Sequence, residues 1–168
     1  MPTLIRWQAD AAVLGEDPFT NVPDDVEAIP RGEVIVSLPR FQAVGDRLLG
    51  EGRLVGVRLK PAELVEDLVY DLPRLALVAL ELPIHRDGRA FTSATLLRER
   101  YAFTGEIRAV GDVFVEQARF LVRCGFDAFE PSDGSTPDLW THHVHRYRNV
   151  YQRAADTLTP AFKEREGA

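Results

Sequence analysis

One run constrains the fold more than any other: Leu75-Ala76-Leu77-Val78-Ala79-Leu80-Glu81-Leu82. It is apolar at both parities, and a strand alternates its side chains between two faces. Both faces of this strand must therefore be covered, which places it at the centre of a parallel sheet. Its neighbours fit that setting. Short β-rich runs occur at Val34–Leu38, Leu54–Leu59, Glu106–Val110 and Phe126–Phe129, with amphipathic stretches between them. Such alternation is the mark of strand–helix units.

The intervening segments carry helical spacing. Phe41, Val44, Leu48 and Leu49 share a face before Gly50 and Gly52. Leu64, Leu68 and Leu72 predict a second helix, opened by Pro61 and closed by Pro73. Phe114, Ala118, Leu121 and Val122 predict a third, stopped by Gly125 in a left-handed cap. Thr136-Pro137-Asp138 starts a fourth, with Leu139, His143, Tyr147, Val150 and Ala154 as its expected buried face. The prediction is an α/β fold with a mostly parallel sheet of about five strands and crossover helices. It is either open and doubly wound or a partial barrel of the TIM type, and the open sheet is favoured. At 168 residues the chain is too short for a complete eightfold barrel, which takes about 250.

Residues 1–32 read as a lead-in. Leu4–Trp7 and Ala12–Leu14 form an expected short hairpin, and the proline- and acid-rich stretch from Asp17 to Pro30 reads as a loop that covers or protects an edge. Residues 33–156 form a single α/β domain, and residues 157–168 are expected to be a flexible tail.

Charge and composition exclude several functions. The formal net charge of −6 disfavours nucleic acid, whose binders present a basic surface. No segment approaches the roughly 20 apolar residues of a membrane span, and the N-terminus lacks signal-peptide character. One cysteine, Cys124, permits no internal disulfide, so a cytoplasmic location is expected. Cys124 falls at a helix C-terminus, where the dipole disfavours a thiolate, and a packed, inert thiol is expected. No G-x-G-x-x-G, P-loop, C-x-x-C or G-x-S-x-G motif is present, so no cofactor is signalled. His142, His143 and His145 lack the acidic or thiol partners that would complete a tetrahedral metal set. The oligomeric state is open, and a homo-oligomer is compatible with the composition.

Ligands of parallel sheets bind beyond the carboxyl ends of the strands. Those ends gather Ser37, Arg58, Lys60, Glu81, His85, Arg86, Asp87, Arg89, Gly111, Asp112 and Glu130. The mixture suits a small anion such as sulfite, sulfate or phosphate. Glu81 and Asp112 are the candidate catalytic groups, and Arg58, Arg89 and Arg108 the candidate anion contacts. Simpler roles compete: Asp112 as a helix N-cap, Asp87-Gly88 as a turn, and Glu81 in an ion pair with Arg58 or Arg89.

Several blocks are similar to one family. They are Glu81-Leu82-Pro83 with Asp87-Gly88-Arg89, Leu96–Tyr101, Gly105–Val113 and Arg123–Phe129. On them the chain resembles the bacterial domain of unknown function 934 family, commonly labelled "oxidoreductase probably involved in sulfite reduction". The resemblance implies an accessory role in assimilatory sulfate and sulfite reduction, with sulfite reductase or a neighbouring enzyme as partner. The alternative is an enzyme acting on a small anionic metabolite. The chain departs from the family where Val115-Glu116-Gln117 replaces an Arg-Asp-Gln triplet, so that arginine's anion contact does not carry over. Ile107 through Ala128 also resembles the last strand–helix–strand of phosphate-binding barrels.

Overall fold

A computed structural model describes residues 3–166, with side chains to residue 163. The chain forms β1 (Leu4–Gln8), β2 (Ala11–Gly15), β3 (Thr20–Asn21), β4 (Val34–Ser37), α1 (Leu38–Gly50), β5 (Val55–Leu59) and β6 (Leu77–Leu82). It continues with α2 (Arg89–Thr95), β7 (Glu106–Gly111), α3 (Ala118–Cys124), β8 (Ala128–Phe129), α4 (Pro137–His145) and α5 (Ala161–Glu166). The β-strands make one sheet in the order β2-β1-β8-β7-β6-β5-β4-β3.

From β3 to β8 every neighbouring pair is parallel, while β1 runs antiparallel to both β8 and β2. The class is α/β, but the sheet is an eight-stranded mixed one rather than five strands. The favoured doubly wound reading is also corrected. A doubly wound sheet reverses its strand order at a switch point. Here β4 to β8 follow one another in sequence order without reversal, and the sheet curls into a half-barrel. Right-handed crossovers that always step the same way put their helices on one side.

Side-chain parity shows the two faces. Val34, Val36, Val55, Val57, Val78, Leu80, Ile107 and Ala109 point to the helices, where they pack with Phe41, Leu48, Ala94, Leu97, Leu121 and Trp140. The opposite parity gives a small concave cluster of Ile35, Leu77 and Ala79, joined by Phe19 and Val110. Gly56 makes this cluster possible, because a Cβ there would stand 2.6 Å from the Leu77 side chain.

Two predicted helices differ. The stretch from Leu64 to Leu72 forms two short 3-10 turns, at Val65–Leu68 and Leu72–Arg74, and leaves Leu64 exposed. Prolines at 61 and 73 and the β-branched Val65 and Val69 weaken a continuous helix there. Helix α4 starts at Pro137 as expected, but its buried residues are Trp140 and Val144, with Leu139 and Tyr147 exposed. Trp140 decides the orientation by stacking on Phe129, centroids 4.4 Å apart. By contrast, α3 ends at Gly125 with φ of 100°, the left-handed cap expected from the sequence. The segment expected to be a loose tail carries α5 and a bridge from Val150 to Pro160.

The N-terminal hairpin forms, with Leu4 opposite Gly15 and Gln8 opposite Ala11. It extends the sheet at β8, whereas β3 extends it at β4, the far edge. Residues 16–19 therefore cross the concave side like a strap. The strap covers that side, and the hairpin and β3 protect the two edges.

Candidate functional site

The concave face is built in rows. Arg58 on β5 lies opposite Ala79 on β6, Ala79 opposite Arg108 on β7, Arg108 opposite Ala128 on β8, and Ala128 opposite Arg6 on β1. One step towards the carboxyl ends come Glu81 and its partner Val110, followed by Glu130 just beyond β8. One step the other way come Ile35, Gly56, Leu77 and Glu106.

Arg108 is the centre of this interior and is fully buried. Its Nη1 and Nη2 donate to the two Asp17 oxygens at 2.7 and 3.0 Å, Nε donates to Glu106 at 2.8 Å, and Nη1 also reaches Glu130 at 3.1 Å. The second Glu106 oxygen accepts from Arg6 at 2.9 and 3.1 Å. Phe19 covers the guanidinium, 5.9 Å from its ring centroid. Burial would lower the arginine's proton affinity, but the carboxylates of Asp17 and Glu106 outweigh it and raise its pKa. At Asp17 burial pulls upward, and the hydrogen bonds and charge of Arg108 more than offset it, so the carboxyl stays below its ordinary value. Arg108 is thus an internal tie that fastens the strap to β7 and β8.

Above it opens a cleft of about 240 Å3 lined by Asn21, Ile35, Arg58, Ala79, Glu81, Val110, Gly111 and Glu130. This is the carboxyl-end rim of a barrel-like sheet, where such folds hold their ligands. Arg58 makes one side-chain hydrogen bond, Nη1 to Asn21 Oδ1 at 3.3 Å, and among the described residues it has no ion pair. Its Nε is buried without any partner. Leaving such a donor unpaired costs on the order of 1–3 kcal/mol. Gly111 allows the rim to turn: its φ is +97°, and a Cβ would stand 2.5 Å from the Leu82 carbonyl oxygen.

The cleft unites Arg58, Glu81 and Glu130 from the sequence candidates. Others go elsewhere. Asp112 does not cap a helix; its carboxylate accepts the His85 backbone N–H at 2.7 Å and ties two loops together. The 3-10 turn at the start of the α3 region is instead capped by Asp133, which accepts from the Val115 N–H at 3.0 Å. Arg89 is exposed at the first position of α2 and held by Asp87. The Glu81 ion pair with Arg58 or Arg89 does not form among the described residues. Ser37 is buried, and Lys60 stands 3.8 Å from Asp24.

Asn21, Asp17 and Glu106 are functional neighbours that the sequence pattern does not single out. Glu106 had a legible signal, since it lies two residues from Arg108 on the same face of a strand. Asp17 and Asn21 had none, because their roles depend on where the strap lands.

A larger cavity of about 560 Å3 lies between Trp7, His145, Tyr147 and Leu158. Its Arg119 and Arg123 are tied to the Val144 and Gln152 carbonyls and to Asp156. Among the described residues no cluster of three or more His, Cys, Asp and Glu side chains is placed to hold a metal ion. No helix among them is long and apolar enough to cross a membrane.

No curated protein matches the chain. A family model does match, over residues 56–162, which take in β5 through β8, α4 and the rim carrying Arg58, Glu81 and Glu130. The chain belongs to the family described as "Bacterial protein of unknown function (DUF934)".

Proposed function

We propose that this protein binds a small anion in the half-barrel cleft and serves as an accessory protein of assimilatory sulfate and sulfite reduction. The observation that carries the binding reading is Arg58: a cation with no ion pair among the described residues, at the rim where barrel-like sheets bind ligands. Asn21 steadies the guanidinium at 3.3 Å and supplies a second polar contact. Sulfite and sulfate are the anions the family label suggests, and sulfite reductase is the corresponding partner. The test is titration of the full chain with sulfite and with sulfate, monitored by amide NMR shifts at Arg58, Glu81 and Gly111. Arg58→Leu should abolish the shifts; equal binding by that variant refutes the site. Deleting the gene should impair growth on sulfate or sulfite and spare growth on cysteine. Co-purification with sulfite reductase tests the partner.

A second reading is favoured by Glu81, whose carboxylate has no hydrogen bond or ion pair among the described residues. An unpaired carboxylate facing a cleft suits an acid or base acting on a small anionic metabolite. Under that reading Glu81→Gln abolishes turnover and leaves the fold intact. Asp112, engaged with His85 outside the cleft lining, supports the loop after β7.

A further inference from the structure

The cleft constrains its ligand more tightly than the arginine alone, and the identity of that ligand, argued from the cleft walls, rests on the anion-binding reading. Arg58 and Glu81 carry opposite charges in one small cleft, yet they do not pair. Glu81 lies on the strand next to that of Arg58, two residues on from Ala79, the register partner of Arg58. Glu130 faces the same space and uses only its Oε1, on Arg108. The cleft therefore holds one cation without an ion pair and two carboxylates, one on β6 beside the strand of Arg58 and one just beyond β8, with free acceptor capacity among the described residues. Ile35, Ala79 and Val110 add apolar lining.

A bare oxyanion satisfies only half of this arrangement. Seated on Arg58, it would share the cleft with Glu81 and Glu130 and leave their charge unmatched.

We infer that the ligand is a small zwitterion of the α-amino-acid type, bridging Arg58 on one side and Glu81 with Glu130 on the other. Its acidic group accepts from the Nη groups of Arg58 and from the Asn21 amide. Its ammonium donates to Glu81 and to the free oxygen of Glu130. Its carbon skeleton lies over Ile35, Ala79 and Val110. Each charge of the ligand is then met by the opposite charge, and the separation between Arg58 and Glu81 becomes the length of the molecule they hold.

The test is calorimetric and NMR titration of the full chain at neutral pH with glycine, L-serine, 3-hydroxypropionate (serine without its ammonium), ethanolamine (serine without its carboxylate) and sulfate. Glycine or L-serine should bind at least tenfold tighter than 3-hydroxypropionate, ethanolamine and sulfate. Glu81→Gln and Glu130→Gln should each weaken the amino acid at least tenfold while leaving sulfate binding equal or stronger. Two variants are used so that loss of folding in one does not decide the matter. If sulfate or 3-hydroxypropionate binds as well as the amino acids, or if both variants hold them unchanged, the zwitterion is excluded and the anion site stands. If none of the five probes binds and sulfite does not bind either, both readings fall; binding of sulfite alone excludes the zwitterion and leaves the anion site.

Discussion

The strap offers the sharpest test of the fold, through Asp17→Ala. Asp17 makes two hydrogen bonds to a fully buried guanidinium, at 2.7 and 3.0 Å. Hydrogen bonds to charged groups contribute about 1.5–3 kcal/mol each, so their upper limit together is about 6 kcal/mol. Two features reduce this. Arg108 keeps Glu106 and Glu130, so the charge is not left alone, and the Asp17 side chain is 23% exposed, so water reaches part of the gap. A loss of about 2–3 kcal/mol is expected, below the roughly 3–5 kcal/mol of stranding a buried charge. For a domain of this size that lowers Tm by about 5–10 °C, at roughly 2–4 °C per kcal/mol. Urea unfolding followed by circular dichroism measures the difference. The sign with pH adds a second check. The folded carboxyl titrates below its ordinary value of 3.8, so its contribution is complete above that pH and disappears as the pH falls through the lower folded value. The gap between wild type and Asp17→Ala should therefore close below pH 3.8. A deficit under about 0.5 kcal/mol at pH 7, set against the expected hydrogen-bond loss, would refute the strap as a fastened element.

Three other outcomes are expected. Arg58→Leu should leave the unliganded protein as stable as wild type or more stable by about 1 kcal/mol, because it removes an unpaired buried donor; a large loss of stability in thermal unfolding would mean the arginine is structural. Gly111→Ala should cost at least about 2 kcal/mol, combining a left-handed backbone with a clash at the Leu82 carbonyl, and denaturation curves matching wild type would contradict it. Burial pushes the Cys124 thiol up. It should alkylate at least about tenfold more slowly than free cysteine at pH 7, and rapid stoichiometric labelling would reopen a redox role.

Local signals carry further for elements than for the site. The two-sided apolar run forms β6, paired in parallel on both sides, because burial on two faces is a property of the strand itself. Gly125 ends α3 as its position predicts, since a left-handed cap depends on one residue's backbone. The buried face of α4 departs from its expected stripe because the spacing admits two, and only the nearby Phe129 ring selects the one through Trp140. Arg58 and Glu81 are reachable from strand ends alone. The role of Arg108 is not, because its principal partner, Asp17, lies 91 residues away in a loop with no periodicity of its own.

Alternating hydrophobic periods determined from the sequence alone that strands and helices would alternate, that β6 would be central, and that its carboxyl end would carry charge. Tertiary structure alone decided whether successive strands would stay in order and curl or reverse and spread, because both layouts use the same local patterns and right-handed crossovers. That choice turned one sheet face inward, and with it brought Arg58, Glu81 and Glu130 into one cleft while the strap neutralised Arg108 below. Charges gain their roles from neighbours, and neighbours distant in the chain are assigned only when the sheet closes.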